Sequence, residues 1–192
     1  MIPLRIATLC GSLRRESYNR KLLNLAEDAL CRAGAELDRL DLHDFVLPLY
    51  DGDIESEKGL SQEAWTLKAR IAAAQGIIIA SPEYNGSIPG ALKNAIDWTS
   101  RGGSNPWQHK VVGLMGATTG MWGTQRMMPH LRQSLQILAA HVIPQQVNVR
   151  EAGKVWDDSG NLLDDKLPAH IEKFVQEFLR VVERLKLDPP KQ

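Results

Sequence analysis

Short apolar runs alternate with helical apolar stripes along almost the whole chain. Leu4 to Leu9 is a continuous apolar stretch of strand length, which predicts a buried parallel strand. Leu22, Leu23, Ala26, Ala29, Leu30 and Ala33 then recur at three- and four-residue spacing, predicting a helix that Gly34 closes. Glu36 to Leu42 alternates polar and apolar positions, as a strand nearer a sheet edge does. A polar loop with Pro48 and several acidic residues follows. Ser61 to Ala74 reads as a helix with Ser61 as its N-cap. Gly76-Ile77-Ile78-Ile79-Ala80 is the clearest central strand, and the segment up to Trp98 ends in a helix. Val111 to Met115 predicts a fourth strand, Leu131, Leu135 and Leu138 a further helix, and Val142 to Val149 a last strand. Glu151 to Asp165 reads as a long loop. Ile171, Phe174, Val175, Phe178, Leu179, Val182 and Leu185 stripe one face of the final helix.

Five strands alternating with helices predict an α/β fold: a doubly wound five-stranded parallel sheet with helices on both faces. The chain has 192 residues and neither an internal repeat nor a linker, so one domain over 1–192 is expected. Composition narrows the function class. Lys and Arg together equal Asp and Glu at 23 each, and that balance lacks the basic excess of nucleic-acid binders. No apolar run reaches the roughly 18 residues of a membrane span, and the start of the chain has no signal-peptide pattern. Cys10 and Cys31 make no disulfide framework. A reduced, cytoplasmic protein without membrane or nucleic-acid partners is expected.

In open parallel sheets, ligands bind beyond the carboxyl ends of the strands where the strand order reverses. For a five-stranded order of 2-1-3-4-5, the loops after strands one, three and four meet there, and all three are unusual. The first, Cys10-Gly11-Ser12-Leu13-Arg14-Arg15-Glu16-Ser17-Tyr18-Asn19, lies between a strand and a helix, where free N–H groups and the positive helix end favour an anion. Ser12, Ser17 and Asn19 offer short polar side chains and Arg14 a fork for phosphate oxygens; Ser17 alone also suits a plain N-cap. In the second, Pro82-Glu83-Tyr84-Asn85-Gly86, the Asn-Gly pair permits a tight turn with exposed N–H groups. Those groups suit the edge of a flat ring such as a flavin, with Tyr84 flanking it, and an Asn-Gly pair serves equally as a structural turn. The third, Ala117 to Gly123, offers hydroxyls and a close backbone approach in a composition common to many loops.

At these residues the chain resembles the NADPH-dependent FMN reductase family. Gly11-Ser12-Leu13-Arg14 with Ser17 and Asn19 is similar to that family's phosphate loop. Ser81-Pro82-Glu83-Tyr84-Asn85-Gly86-Ser87-Ile88-Pro89-Gly90-Ala91-Leu92-Lys93-Asn94-Ala95-Ile96-Asp97-Trp98 resembles its second signature. The resemblance implies a flavodoxin-like fold, non-covalently bound FMN, NADPH or NADH as co-substrate, and a homodimer or homotetramer. It implies that Ser12, Arg14, Ser17 and Asn19 hold the phosphate and that Tyr18 lies along the ribityl chain. Pro82, Glu83, Tyr84, Asn85 and Gly86 would border the isoalloxazine, with Thr118 and Gly120 contributed by the third loop. The implied reaction is hydride transfer from nicotinamide C4 to flavin N5, then transfer to a quinone, flavin, chromate or azo compound at the same face in ping-pong fashion. No side chain need act as acid or base, because the flavin carries the chemistry.

Two rivals stand beside this reading. A flavodoxin-type electron carrier shares the fold, but such carriers are strongly acidic and this chain is neutral. A low-molecular-weight tyrosine phosphatase also places a phosphate loop after its first strand. Its motif needs cysteine, five residues and arginine, and Glu16 occupies the arginine position after Cys10. Asp188-Pro189 imitates that family's acid motif. His43, His109, His130, His141 and His170 show no metal-ligand spacing. The tryptophans read as packing residues, with Trp107 and Trp122 also placed to line the mouth, and Arg126 as a solvated or interface residue.

Overall fold

The computed structural model describes residues 3–157 and 159–186 of the chain, so Asp188-Pro189 lies outside the described residues. Strands β1 (Arg5–Cys10), β2 (Glu36–Leu40), β3 (Gly76–Ala80), β4 (Val111–Ala117) and β5 (His141–Val149) form one sheet. Its order is β2-β1-β3-β4-β5 and every pairing is parallel. The expected doubly wound topology is therefore present. Helices α1 (Tyr18–Arg32) and α6 (Leu167–Arg184) carry side chains into one core cluster. Helices α3 (Gln62–Ala73), α4 (Gly90–Thr99) and α5 (Met127–Gln136) build the other.

Strand periodicity explains the two layers. Ile77 and Ile79 belong to the cluster with Leu67, Ile71, Leu92 and Leu131, whereas Ile78 belongs to the cluster with Leu22, Leu23, Phe174 and Phe178. The α6 layer sits close because two strand residues lack a Cβ. A Cβ on Gly76 would lie 2.7 Å from the Phe178 ring and one on Gly113 2.8 Å from Phe174.

Three boundaries differ from expectation. The acidic segment expected to be loop contains α2 (Gly52–Lys58), which buries no residue and so carries no apolar stripe. Local electrostatics holds it: the Asp51 side chain accepts from the Asp53 N–H, Asp53 and Glu55 sit in the first turn, and Gly59 at φ 69° ends it. Strand β2 stops at Leu40 because Asp41 caps a 3₁₀ turn at Leu42–Asp44. The loop after β5 contains a 3₁₀ turn at Ala152–Lys154 and a Trp156–Leu162 bridge. No described helix is long and apolar enough to cross a membrane.

Sheet register positions the loops. Cys10 pairs with Ala80 and Ala80 with Met115, so β1 and β3 end level and β4 runs two residues past them to Ala117. The pairing extends past the strands, with the Gly11 N–H donating to Ala80 O at 2.8 Å and the Ser81 N–H to Met115 O at 3.0 Å.

Candidate functional site

The first loop leaves β1 at Gly11, where any side chain would collide. A Cβ there would stand 2.9 Å from Leu92 Cδ2 and 3.0 Å from Ser81 Oγ. Ser12 and Ser17 are buried, while Leu13, Arg14, Arg15 and Glu16 are exposed. Ser12 Oγ accepts from the Arg14 N–H at 3.3 Å, and Ser17 Oγ accepts from the Asn19 N–H at 3.2 Å. Ser17 is thus the N-cap of α1, and each serine hydroxyl keeps its own proton for a further acceptor. The N–H groups of Tyr18 and Arg20 and the Arg14 guanidinium have no partner among the described residues. Cys10 is buried below this loop and its Sγ lies 3.7 Å from Ser12 O. Burial pushes the thiol up from its ordinary range, which opposes a phosphatase-type thiolate.

Asn19, expected as a phosphate ligand, is also committed across the sheet. Its Nδ2 donates to Ala117 O at 2.9 Å and its Oδ1 accepts from the Ala117 N–H at 2.8 Å. The paired bonds tie α1 to the end of β4, so the side chain joins the first loop to the third. Tyr18 stacks on buried Trp156 at 5.7 Å between ring centroids.

The second loop is a hairpin. Tyr84 and Ser87 exchange both backbone hydrogen bonds, at 3.1 and 3.0 Å, around Asn85 (φ 50°) and Gly86 (φ 74°). Two consecutive positive φ angles are what a two-residue turn of this hand requires, and Asn-Gly supplies them at least cost. Glu83 is turned inward with its side chain 5% exposed. Its Oε2 accepts from the N–H groups of Arg126 and Met127, at 3.0 and 3.1 Å, and its Oε1 accepts from Arg126 Nε at 2.7 Å. Helix α5 has no side-chain cap of its own. Glu83 therefore caps it from 44 positions away, and Ser87 Oγ meets His130 Nδ1 at 3.0 Å on the same helix.

The third loop is stitched to the end of β5. The Thr118 N–H donates to Val149 O, the Ala152 N–H to Thr118 O, and the Glu151 N–H to Gly120 O, all at 3.0 to 3.1 Å. Gly116 is required because Thr124 folds back over it, where a Cβ would meet Thr124 Oγ1 and come within 2.8 Å of Ser81 O.

These loops enclose a cleft of about 180 Å³ lined by Ser12, Arg14, Ser17, Tyr18, Asn19, Pro82, Glu83, Tyr84, Ala117, Thr118 and Thr119. Nine of the residues singled out in the sequence meet there. Asn85 and Gly86 form the hairpin tip and Gly120 the far side of the third loop, so these three do not line it. Thr119 does, although its neighbours Thr118 and Gly120 were the expected contributors. Trp107 is 1% exposed in the core with Nε1 bonded to Thr99 Oγ1, which corrects its placement at the mouth, whereas Trp122 is 68% exposed. Cavities of about 380 and 580 Å³ lie elsewhere, so chemistry and not size distinguishes this cleft. Both oxygens of the one acid lining it, Glu83, are engaged by Arg126 and the start of α5. What faces the cleft is rich in donors, which fits a phosphate and the hydroxyls of a ribityl chain.

The fold and this edge define a flavodoxin-like α/β protein. The sequence profile of the NADPH-dependent FMN reductases matches residues 4–154, and the chain belongs to that family. It is 35% identical over 184 residues to an NAD(P)H-dependent FMN reductase of Pseudomonas aeruginosa, covering 95% of this chain and 97% of the other. It is 34% identical over 187 residues to a quinone reductase of Escherichia coli K12, covering 96% and 98%. Among solved structures it superposes on FerB, a flavoenzyme NAD(P)H:(acceptor) oxidoreductase from Paracoccus denitrificans. That match has a TM-score of 0.78 at 28% identity and covers 94% of this chain and 98% of the other.

Proposed function

We propose that the chain is a cytoplasmic NAD(P)H-dependent FMN oxidoreductase, homodimeric or homotetrameric, that passes reducing equivalents to a small acceptor such as a quinone, flavin, chromate or azo compound. The observation that carries this is the convergence of three loops, from the neighbouring ends of β1, β3 and β4, on one donor-rich cleft with buried Ser12 and Ser17. Ser12, Ser17, Arg14 and the free N–H groups opening α1 hold the phosphate. Tyr18, fixed against Trp156, borders the ribityl chain, and Pro82, Tyr84 and the tip N–H groups of Asn85 and Gly86 border the ring. Thr118 and Thr119 close the third side. The cleft volume suits the phosphate and the start of the ribityl chain, with the ring system along the rim.

When bound, FMN supplies the two-electron chemistry. The chain's own contribution is orientation: rigid loops fix one face toward a single binding space that nicotinamide and acceptor use in turn. Donors along the rim, such as the Asn85 and Gly86 N–H groups, would favour negative charge on a ring bound there. The test is an absorbance spectrum of purified protein with NADPH or NADH. A yellow protein that bleaches without a partner protein supports the proposal; one that stays yellow is an electron carrier. Parallel initial-rate plots are expected with a quinone acceptor, and intersecting plots would remove the shared face.

A further inference from the structure

His43 lies on the 3₁₀ turn after β2, 30 positions from the phosphate loop in sequence and in hydrogen-bond contact with it. Its Nδ1 is 2.8 Å from Asp41 Oδ1 and its Nε2 is 3.0 Å from the backbone oxygen of Leu13. Asp41 also accepts from the His43 backbone N–H at 3.0 Å. Burial works to raise the Asp41 carboxyl, but the bonds from His43 and the charges of Arg20 and His43 outweigh it and hold the group below its ordinary range. Asp41 is therefore a carboxylate, which only accepts, and a carbonyl oxygen only accepts. Both ring nitrogens of His43 face acceptors, and only the imidazolium donates from both.

The Leu13–Arg14 peptide is held at both ends by this arrangement. Its oxygen is bound by His43 and its N–H donates to Ser12 Oγ at 3.3 Å. A Leu13 carbonyl released from His43 is free to rotate toward the cleft, where it opposes an anion and loosens the Ser12 turn. We propose that protonated His43 is a positioning residue for the phosphate loop, latching Leu13 outward so that flavin phosphate binding weakens when the imidazole loses its proton. This inference rests on the FMN-binding reading of the cleft.

The charged neighbours favour the latch. Asp41 faces the ring directly, and Arg20 of α1 stands 3.7 Å from the other Asp41 oxygen. Asp44 shares the turn, and Arg14 and Arg15 follow Leu13 on the loop. Helix α4 contributes only neutral Ala91 and Asn94 to the wall beside His43. Because Asp41 neutralises the imidazolium, its effect on an anion acts through loop geometry more than through net charge.

The experiment compares FMN dissociation constants of the wild-type protein and His43→Gln, read by flavin fluorescence from pH 5.5 to 8.5, the range in which imidazoles change charge. A phosphomonoester titrates near pH 6 itself, so the quantity read is the ratio of variant to wild-type constants at each pH. We expect a ratio of about five- to tenfold at pH 5.5, the scale of one charge-assisted hydrogen bond, falling toward one by pH 8.5. A ratio that stays constant with pH assigns His43 a merely structural role and overturns the proposal. Imidazole 15N spectra of the flavin-free protein separate the latch from the cofactor: both His43 nitrogens should carry protons wherever the variant-to-wild-type ratio exceeds one. A His43 with one bare nitrogen where the ratio exceeds one overturns the latch, whereas failure to bind FMN at every pH overturns the cofactor reading alone.

Discussion

Ser17 and Asn19 sit two residues apart and do different work. Ser17 caps α1 and lines the cleft, so removing its hydroxyl together with the Arg14 fork strips the anion site of side-chain donors. Ser17→Ala combined with Arg14→Ala is expected to lose FMN on gel filtration, and full retention of flavin would remove the phosphate assignment. Asn19→Ala instead leaves the buried Ala117 N–H and C=O unpaired. The expected loss is about 2–3 kcal/mol of stability, read from the denaturation midpoint of the flavin-free protein. Lys110 gives a pH signature of its own. It is buried with Nζ bonded to the Ala72 and Ala74 carbonyls at the end of α3, and desolvation lowers its pKa from 10.5 to about 8. Between those values the unfolded chain binds more protons than the folded one, so the Lys110 contribution raises stability with increasing pH from about 8 to 10.5. The rise reaches up to about 3 kcal/mol relative to Lys110→Met, compared by urea denaturation at pH 7 and pH 10.

Elements meet through features that local patterns do not carry. Helix α5 starts under the Glu83 carboxylate, which also fixes the base of the second-loop hairpin. Glu83→Ala is expected to lower stability by about 2 kcal/mol and to weaken FMN binding as the hairpin comes loose from α5. Glu83→Gln should keep part of the cap while losing the Arg126 ion pair, so an unchanged Glu83→Ala protein would refute the shared role. The strand glycines make a converse case. Gly113→Ala pushes a methyl group into Phe174 and costs about 1–3 kcal/mol by overpacking, measured by thermal unfolding. The element pattern itself was legible because Ile77, Ile78 and Ile79 are all buried and the helix stripes of α1 and α6 repeat on one face. Helix α2 was not legible, since a helix that buries nothing has no apolar period and is held by the Asp51 cap, the first-turn acids and the Tyr50–Glu55 hydrogen bond.

On the scale of the whole molecule, the cleft edge also carries apolar surface. Tyr84, Met121 and Trp122 are 45%, 68% and 68% exposed on the second and third loops. Apolar side chains concentrated on loops around a site are the kind of surface a second copy covers. The expected dimer or tetramer should appear by sedimentation velocity, with Trp122→Glu shifting the distribution toward smaller species. A wild-type protein that sediments as a monomer at micromolar concentration removes that expectation.

The sequence by itself determined the layered α/β architecture, the Ser17 and Ser61 caps, the Asn85-Gly86 turn, and the composition of the three loops. Each of these is a local consequence of side-chain periodicity or backbone preference within a few residues. Only the tertiary structure decided that Asn19 clasps Ala117 across 98 positions, that Glu83 caps α5, that Trp107 belongs to the core, and that His43 reaches Leu13. These are polar or aromatic groups whose partners lie far along the chain. Their roles follow from sheet register, which places the ends of β1, β3 and β4 side by side at one edge and brings remote donors and acceptors within bonding distance.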